Sequence, residues 1–207
     1  CGSLSDHMGK TCDAQSAAIK NIDAWYSELS NNGLDAIVIN TSGCGTTVKD
    51  YHHMFQGTEH EEKAKVIAGL TKDISEILVE LELPDRAEND INVAYHSACS
   101  LQHGQQISNS PKDMLKKCGY KISEPKNSHL CCGSAGTYNL LQPKISQELK
   151  NRKIQSLEAK KPDIIAAGNL GCMMQISSST NIPVVHTVEL IDWATGGPKP
   201  NKLNDKH

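Results

Sequence analysis

The sequence predicts an α/β protein in which one strand–helix unit is used twice. Each copy is expected to carry a short parallel sheet flanked by helices, with cysteine loops at the strand ends. Two observations predict this. Short apolar runs alternate with longer stretches of helical periodicity, the pattern of parallel strands joined by crossover helices. The chain also repeats itself: Cys1-Gly-Ser3 recurs as Cys132-Gly-Ser134, and Asp35-Ala-Ile-Val-Ile-Asn-Thr-Ser-Gly-Cys44 recurs as Asp163-Ile-Ile-Ala-Ala-Gly-Asn-Leu-Gly-Cys172, with aspartate and cysteine nine residues apart both times. Repetition on this scale marks two copies of one supersecondary unit.

The first copy spans residues 1–83 and is incomplete at its N-terminus. Cys1 reads as the second cysteine of a first Cys-Cys-Gly motif whose partner lies upstream. A processed lipoprotein also begins with cysteine, but the repeat places Cys1 inside a motif and favours a truncated fragment. Residues 13–30 form a helix, with Ala18, Ile22, Trp25 and Leu29 on one face. Asn32-Gly33 ends it, glycine suiting a left-handed cap. Ala36–Ile39 is wholly apolar, as for a parallel strand buried on both faces. Gly43-Cys44-Gly45 then forms a tight turn at the carboxyl end of that strand, where open α/β sheets place ligands. A helix begins over Thr46–Phe55. Residues 61–82 carry Ile67, Leu70, Ile74, Ile77 and Leu81 at helical spacing, as one helix or two with a break near Asp73. Leu83–Asp90 is polar, contains proline and lacks periodicity, so it reads as the linker.

The second copy, residues 90–195, is complete. Ile91–Tyr95 is a strand leading to the loop His96–Cys99. Ser110-Pro111 opens a helix, serine as N-cap and proline in the first turn, and Gly119 closes it. Tyr120–Glu124 is a short strand leading towards Cys131 and Cys132. Gln142-Pro143 opens a helix with Ile145, Leu149, Ile154 and Leu157 on one side. Ile164–Ala167 is a buried strand running to Cys172, Met173–Ser178 a short helix and Pro183–Val188 a last strand. The tail, 196–207, has little to bury and is expected to be disordered. The two copies are therefore Rossmann-like units in which the cysteine loops can meet at one sheet edge.

Composition narrows the function. Hydrophobic residues make up 38% of the 207, enough for a core, and the net charge of −3 argues against nucleic acid as a partner. No apolar run is long enough to span a membrane, and no charged-then-apolar leader is visible. Eight cysteines with long helical stretches and no export signal point to a metal centre in a reducing cytoplasm rather than to disulfides.

Four of those cysteines form a pattern: Cys99, thirty-one residues, Cys131-Cys132, thirty-nine residues, Cys172. Neighbouring cysteines rarely bridge one another, because the disulfide strains the peptide between them. Vicinal thiols running into Gly133 suit a metal or cluster, since glycine lets the backbone approach and direct N–H groups at sulfur. Four thiolates suit either a [4Fe–4S] cluster or tetrahedral zinc. The spacing is too long for a ferredoxin run, so the ligands sit on separate segments. Cys1 and Cys44 are the corresponding candidates in the first copy. Cys12 and Cys118 lack counterparts and read as packing residues.

The wording Cys131-Cys-Gly-Ser-Ala-Gly-Thr-Tyr-Asn-Leu-Leu-Gln-Pro143, with Asn169-Leu-Gly-Cys172 and Pro183-Val-Val-His-Thr-Val-Glu-Leu190, resembles the cysteine-rich CCG domain shared by heterodisulfide reductases, lactate-utilisation proteins and the iron–sulfur subunit of glycolate oxidase, and looks most like the last. The resemblance implies a [4Fe–4S] cluster rather than zinc. It implies an electron-transfer subunit that carries electrons from FAD-binding partner subunits, which oxidise glycolate, towards a membrane acceptor. It implies a cytoplasmic protein at the inner face of the membrane through its complex, with a ferredoxin-like part upstream. Heterodisulfide reductase has Cys-x-x-Cys at the last position. Here Met173, Met174 and Gln175 follow Cys172, and Gly45, Thr46 and Thr47 follow Cys44, so that fifth thiolate is absent. Lactate utilisation, disulfide reduction and a zinc-tied scaffold are the alternatives.

Around the cysteines, His96, Gly133 and Gly171 are candidates for a supporting shell, His96 by hydrogen-bonding or ligating the cluster. His129 and His186 are weaker candidates. Glu189 and Glu76 occupy matching places in the repeats and read as helix caps. His52, His53 and His60 read as a solvated polar face. No catalytic residue is expected: the chain has no G-x-G-x-x-G, P-loop or H-E-x-x-H motif.

Overall fold

The computed structural model describes residues 1–81, 83, 86, 87 and 89–204. The expected linker at 83–90 and the last three residues of the tail lie partly or wholly outside that set. The chain divides into two compact units, Cys1–Ile74 and Ser75–His207. Both are α/β, with short parallel strands flanked by helices. Among the described residues no helix is long and apolar enough to cross a membrane.

The first unit runs α1 (Ser3–His7), α2 (Thr11–Asn32), β1 (Ile37–Ile39), α3 (Ser42–Lys49), α4 (Tyr51–Met54), α5 (Glu61–Leu70) and β2 (Thr71–Asp73). Strands β1 and β2 pair in parallel, Val38 opposite Lys72. The long helix α2 buries Ala14, Ala18 and Ile22, one residue per turn, and Ala18 and Ile22 pack with Ile37, Val48, Tyr51, Phe55 and Ile67. Two expectations change here. Val38 is 47% exposed rather than buried, because β1 has a single strand neighbour and one of its faces is left open. The stretch at 61–82 does break near Asp73, as the two-helix alternative expected, but the break is a strand, β2, whose sequence Thr-Lys-Asp carries no apolar signal, although Thr71 and Asp73 are buried.

The second unit begins with α6 (Ile74–Glu80) and continues through β3 (Asn92–His96), a π turn (Ser100–Gly104), α7 (Ser110–Lys117), β4 (Lys121–Ser123), α8 (Tyr138–Leu141), α9 (Pro143–Glu158), β5 (Ile164–Ala167), α10 (Leu170–Ser177), β6 (Val184–His186), α11 (Thr187–Ala194) and a 3₁₀ turn (Asn201–Leu203). Its sheet has the order β4-β3-β5-β6, all parallel. The period of two along each strand sorts side chains onto two faces. Val93, Tyr95, Ile164, Ala166 and Val185 pack with α7 and α11 on one side. Ala94, Ile165, Ala167 and Val184 pack with Ile154, Leu157, Cys132, Cys172 and Ile176 on the other.

This order contains a topological switch. The chain leaves β3 for β4 on one side, then crosses to β5 on the other. The carboxyl ends of β3 and β5 therefore face a crevice with no connection over it, the place where such sheets bind ligands.

The tail departs from expectation. Instead of being disordered from residue 196, it turns through Asn201–Leu203 and inserts Leu203 into the core beside Leu190 and Ile191. One apolar residue suffices, because it closes the end of a core already formed by α7 and α11.

Candidate metal centre

The four cysteines of the second unit arrive from three segments at the switch point. Cys99 follows β3 directly and precedes the π turn. Cys131 and Cys132 lie between β4 and α8. Cys172 is the third residue of α10. A tight turn is expected at Gly43-Cys44-Gly45 and a helix only from Met173, and the structure instead starts a helix around each cysteine, α3 around Cys44 and α10 around Cys172. Asn169 caps α10, its Oδ1 accepting from the Cys172 N–H at 3.2 Å. A helix N-terminus favours the thiolate, through its free N–H groups and dipole.

Hydrogen bonds among the sulfurs set an alternating pattern of charge. Cys131 is drawn far below the ordinary thiol range, first by Cys132, then by Cys99, with the Gly133 N–H donating to its Sγ at 3.3 Å. Cys172 falls to about 5, first through Cys132 and against its burial. Cys99 and Cys132 are pushed up, first by their hydrogen bonds to Cys131.

The glycines hold this loop against the helix that follows. Gly133 has φ +90°, and a Cβ there would lie 2.4 Å from the Ser146 carbonyl oxygen on α9. The Ser146 hydroxyl donates to the Gly133 carbonyl at 2.7 Å and accepts from Gln175 Nε2 at 2.9 Å, so α9, α10 and the cysteine loop are locked together. Gly171 leaves space for Ser134, whose Oγ would lie 2.9 Å from an added Cβ.

His96 ends β3 on the same face as Ala94, and therefore faces the cysteines. It is 1% exposed, and neither ring nitrogen has a hydrogen-bond partner. A ring nitrogen lies within 4.8 Å of the Cys132 and Cys172 sulfurs. A buried imidazole with both nitrogens unsatisfied is costly in an apolar core. Beside converging thiols it fits a metal-bearing group, which would supply the missing partner. The donor set, four sulfurs with one imidazole behind them, therefore suits a thiolate-bound metal or cluster.

In the first unit the structure brings Cys1 and Cys44 together, Sγ to Sγ 3.3 Å. Gly2, φ +84°, presses on the carbonyl of Ala14 as Gly133 presses on that of Ser146. The other cysteines are not part of either group. Cys118 is buried in the core, whereas Cys12 is exposed on α2 and does not pack as expected. His186 caps α11, its Nδ1 accepting from Val188 N–H, and Glu189 completes the capping box by accepting from the His186 N–H. His129 is exposed. Asp50, His52 and His53 also bring their ligand atoms within 4.8 Å of one another, but all three are exposed.

Sequence periodicity misplaced the inner face of α9. Ile145 is 52% exposed, while Ser146, Lys150 and Lys153 are buried with Ile154 and Leu157. The aligned helix α2 held the signal: Ala14, Ala18 and Ile22 are spaced as Ser146, Lys150 and Ile154 are.

A doubly wound sheet with four cysteines at its switch point defines a cysteine-rich α/β metal domain. The comparisons agree: residues 93–177 match the cysteine-rich domain family CCG. Over most of its length the chain is also similar to glycolate oxidase iron–sulfur subunits. It is 34% identical to that of Escherichia coli over 196 residues, 94% of this chain and 48% of the relative. It is 29% identical to a probable glycolate oxidase iron–sulfur subunit of Bacillus subtilis over 208 residues, 95% of this chain and 46% of the relative. Lactate utilization protein A of Anoxybacillus flavithermus is 28% identical over 165 residues, 75% of this chain and 69% of that protein. The chain thus spans about half the length of the two glycolate oxidase subunits it matches.

Proposed function

We propose that this chain is the electron-transfer part of a glycolate-oxidising complex and holds a [4Fe–4S] cluster on Cys99, Cys131, Cys132 and Cys172. The observation that carries this reading is the convergence of four thiols from three segments at the carboxyl ends of β3 and β5, with the Gly133 N–H directed at the Cys131 sulfur. A cluster of this kind supplies a one-electron relay when bound. The protein's own part is to gather the four thiols at one point, to exclude water by burying Cys132 and Cys172, and to place the His96 ring beside them.

Cys1 and Cys44, Sγ to Sγ 3.3 Å, would supply two donors of a second site. FAD-binding subunits are the proposed electron donors. The proposed location is the cytoplasm, at the inner face of the membrane through the complex. The similarity to lactate utilization protein A supports a second reading, in which the partner oxidises lactate.

The test is anaerobic purification followed by iron, zinc and acid-labile sulfide analysis and electron paramagnetic resonance of the dithionite-reduced chain. Iron and sulfide in equal amounts with a reducible signal are expected. Zinc at one per chain without sulfide would defeat the electron-transfer reading in favour of a scaffold.

A further inference from the structure

Lys153 is the most deeply buried charged residue of the second unit, with no exposed surface, on the face of α9 that covers the cysteine loop. Its Nζ donates to the Ser128 carbonyl oxygen at 3.0 Å. No carboxylate among the described residues forms an ion pair with it. A neutral carbonyl satisfies one N–H of an ammonium and does nothing for its charge. Removing an unpaired cation from water is strongly unfavourable unless an opposite charge replaces the solvent.

The opposite charge comes from the cysteines. Burial lowers the Lys153 pKa, while Cys132, Cys172, Cys131 and Cys99 act against that and favour the ammonium. Ile154, the next residue, packs in the same core cluster as Cys132 and Cys172.

The repeat supplies a control within the molecule. With Ala14, Ala18 and Ile22 aligned on Ser146, Lys150 and Ile154, the place of Lys153 is taken by Asn21. Asn21 is neutral. Its Nδ2 donates to the Tyr51 hydroxyl at 3.3 Å, and that hydroxyl donates to the Cys1 carbonyl at 3.0 Å. The same helical position thus reaches the cysteine segment through a neutral relay in one unit and presents a cation in the other.

We propose that Lys153 is the charge-compensating residue of the second unit's metal centre: its buried ammonium offsets the negative charge of the thiolate-bound group, holds the reduction potential up, and is itself better stabilised when the centre is filled. This rests on the cluster reading given above. Four thiolates leave the group anionic, and each added electron makes it more so. A fixed cation therefore favours the reduced form and raises the potential. Emptying the site removes part of the compensating charge and leaves the ammonium buried at a cost.

The experiment compares the wild-type chain with Lys153→Met, close in shape and uncharged, and Lys153→Arg, which keeps the charge. Reduction of the reconstituted chains is titrated against dithionite, and thermal unfolding is followed with and without the cluster. Expected for Lys153→Met is a potential at least 59 mV more negative, a tenfold shift in the ratio of reduced to oxidised centre at fixed potential for a one-electron couple. Its metal-free form is expected to unfold at the same or a higher temperature. Lys153→Arg should keep the wild-type potential. A potential unchanged in Lys153→Met, with lower unfolding temperatures in both forms, would reduce Lys153 to a structural contact with Ser128 and overturn the proposal. If the wild type holds zinc and no sulfide, the cluster reading falls separately. The lysine is then judged on zinc affinity: a tenfold weakening in Lys153→Met but not in Lys153→Arg upholds charge compensation, and equal affinities refute it.

Discussion

Cys44 and Cys172 occupy the same place in their units. Each is the third residue of an eight-residue helix separated by two residues from the end of a parallel strand, β1 ending at Ile39 and β5 at Ala167. The shared position aims each sulfur from a helix N-terminus, yet their surroundings differ. Cys172 meets three other thiols and a buried imidazole, whereas Cys44 meets Cys1.

That difference predicts unequal metal competence. Cys132→Ser should remove most of the visible absorption of a reconstituted sample and destabilise the second unit, since cluster binding couples to folding. Cys44→Ser should leave the absorption nearly unchanged, because two thiolates do not hold a cubane. Equal loss in both variants would mean that the two units share one site.

Gly133→Ala forces a side chain into a left-handed backbone conformation and against the Ser146 carbonyl. A loss of about 1–3 kcal/mol is expected in urea unfolding of the metal-free chain. Gly168→Ala is the control, because nothing lies within 4 Å of a Cβ there, and it should change stability by less than about 0.5 kcal/mol. Similar effects at both positions would show that α9 yields freely and that the close approach is unimportant.

His96→Leu separates a metal-facing imidazole from a merely buried one. With neither ring nitrogen bonded, the metal-free chain should lose little stability, or gain some, on replacement by an apolar side chain of comparable size. The reconstituted chain should show an altered potential or lower cluster occupancy. Strong destabilisation of the metal-free form alone would assign His96 to the core.

The isolated chain should not oxidise glycolate. It carries no dinucleotide fingerprint, and under the proposed function the substrate chemistry falls to flavin partners. Turnover of glycolate with an artificial acceptor by a flavin-free sample would reveal a substrate site within the chain itself.

Much of the fold was legible because its signals are local. The runs at Val93–Tyr95 and Ile164–Ala167 stand out because strand segments buried on both faces are apolar at successive positions, and both lie in the central strands of the four-stranded sheet. Strand β2 was not legible. Its three residues owe their strand conformation to pairing with β1, a contact made more than thirty residues away. Read from the sequence, the helix beside Cys172 starts at Met173, three residues later than the observed Leu170. In the fold the Asn169 side chain caps the helix ahead of Gly171.

The sequence by itself determined the alternation of strands and helices, the internal repeat, and the four thiols of the candidate centre, since residue type, spacing and repetition are carried along the chain. Folding alone revealed that the His96 ring is buried with both nitrogens unpartnered beside Cys132 and Cys172, and that α9 turns Ser146, Lys150 and Lys153 inward instead of Ile145. A charged or polar side chain is read as solvated until something is seen to cover it. What covers these residues is a cysteine loop delivered by a different part of the chain, and burial, unlike hydrophobicity, is a property of the neighbours that folding supplies.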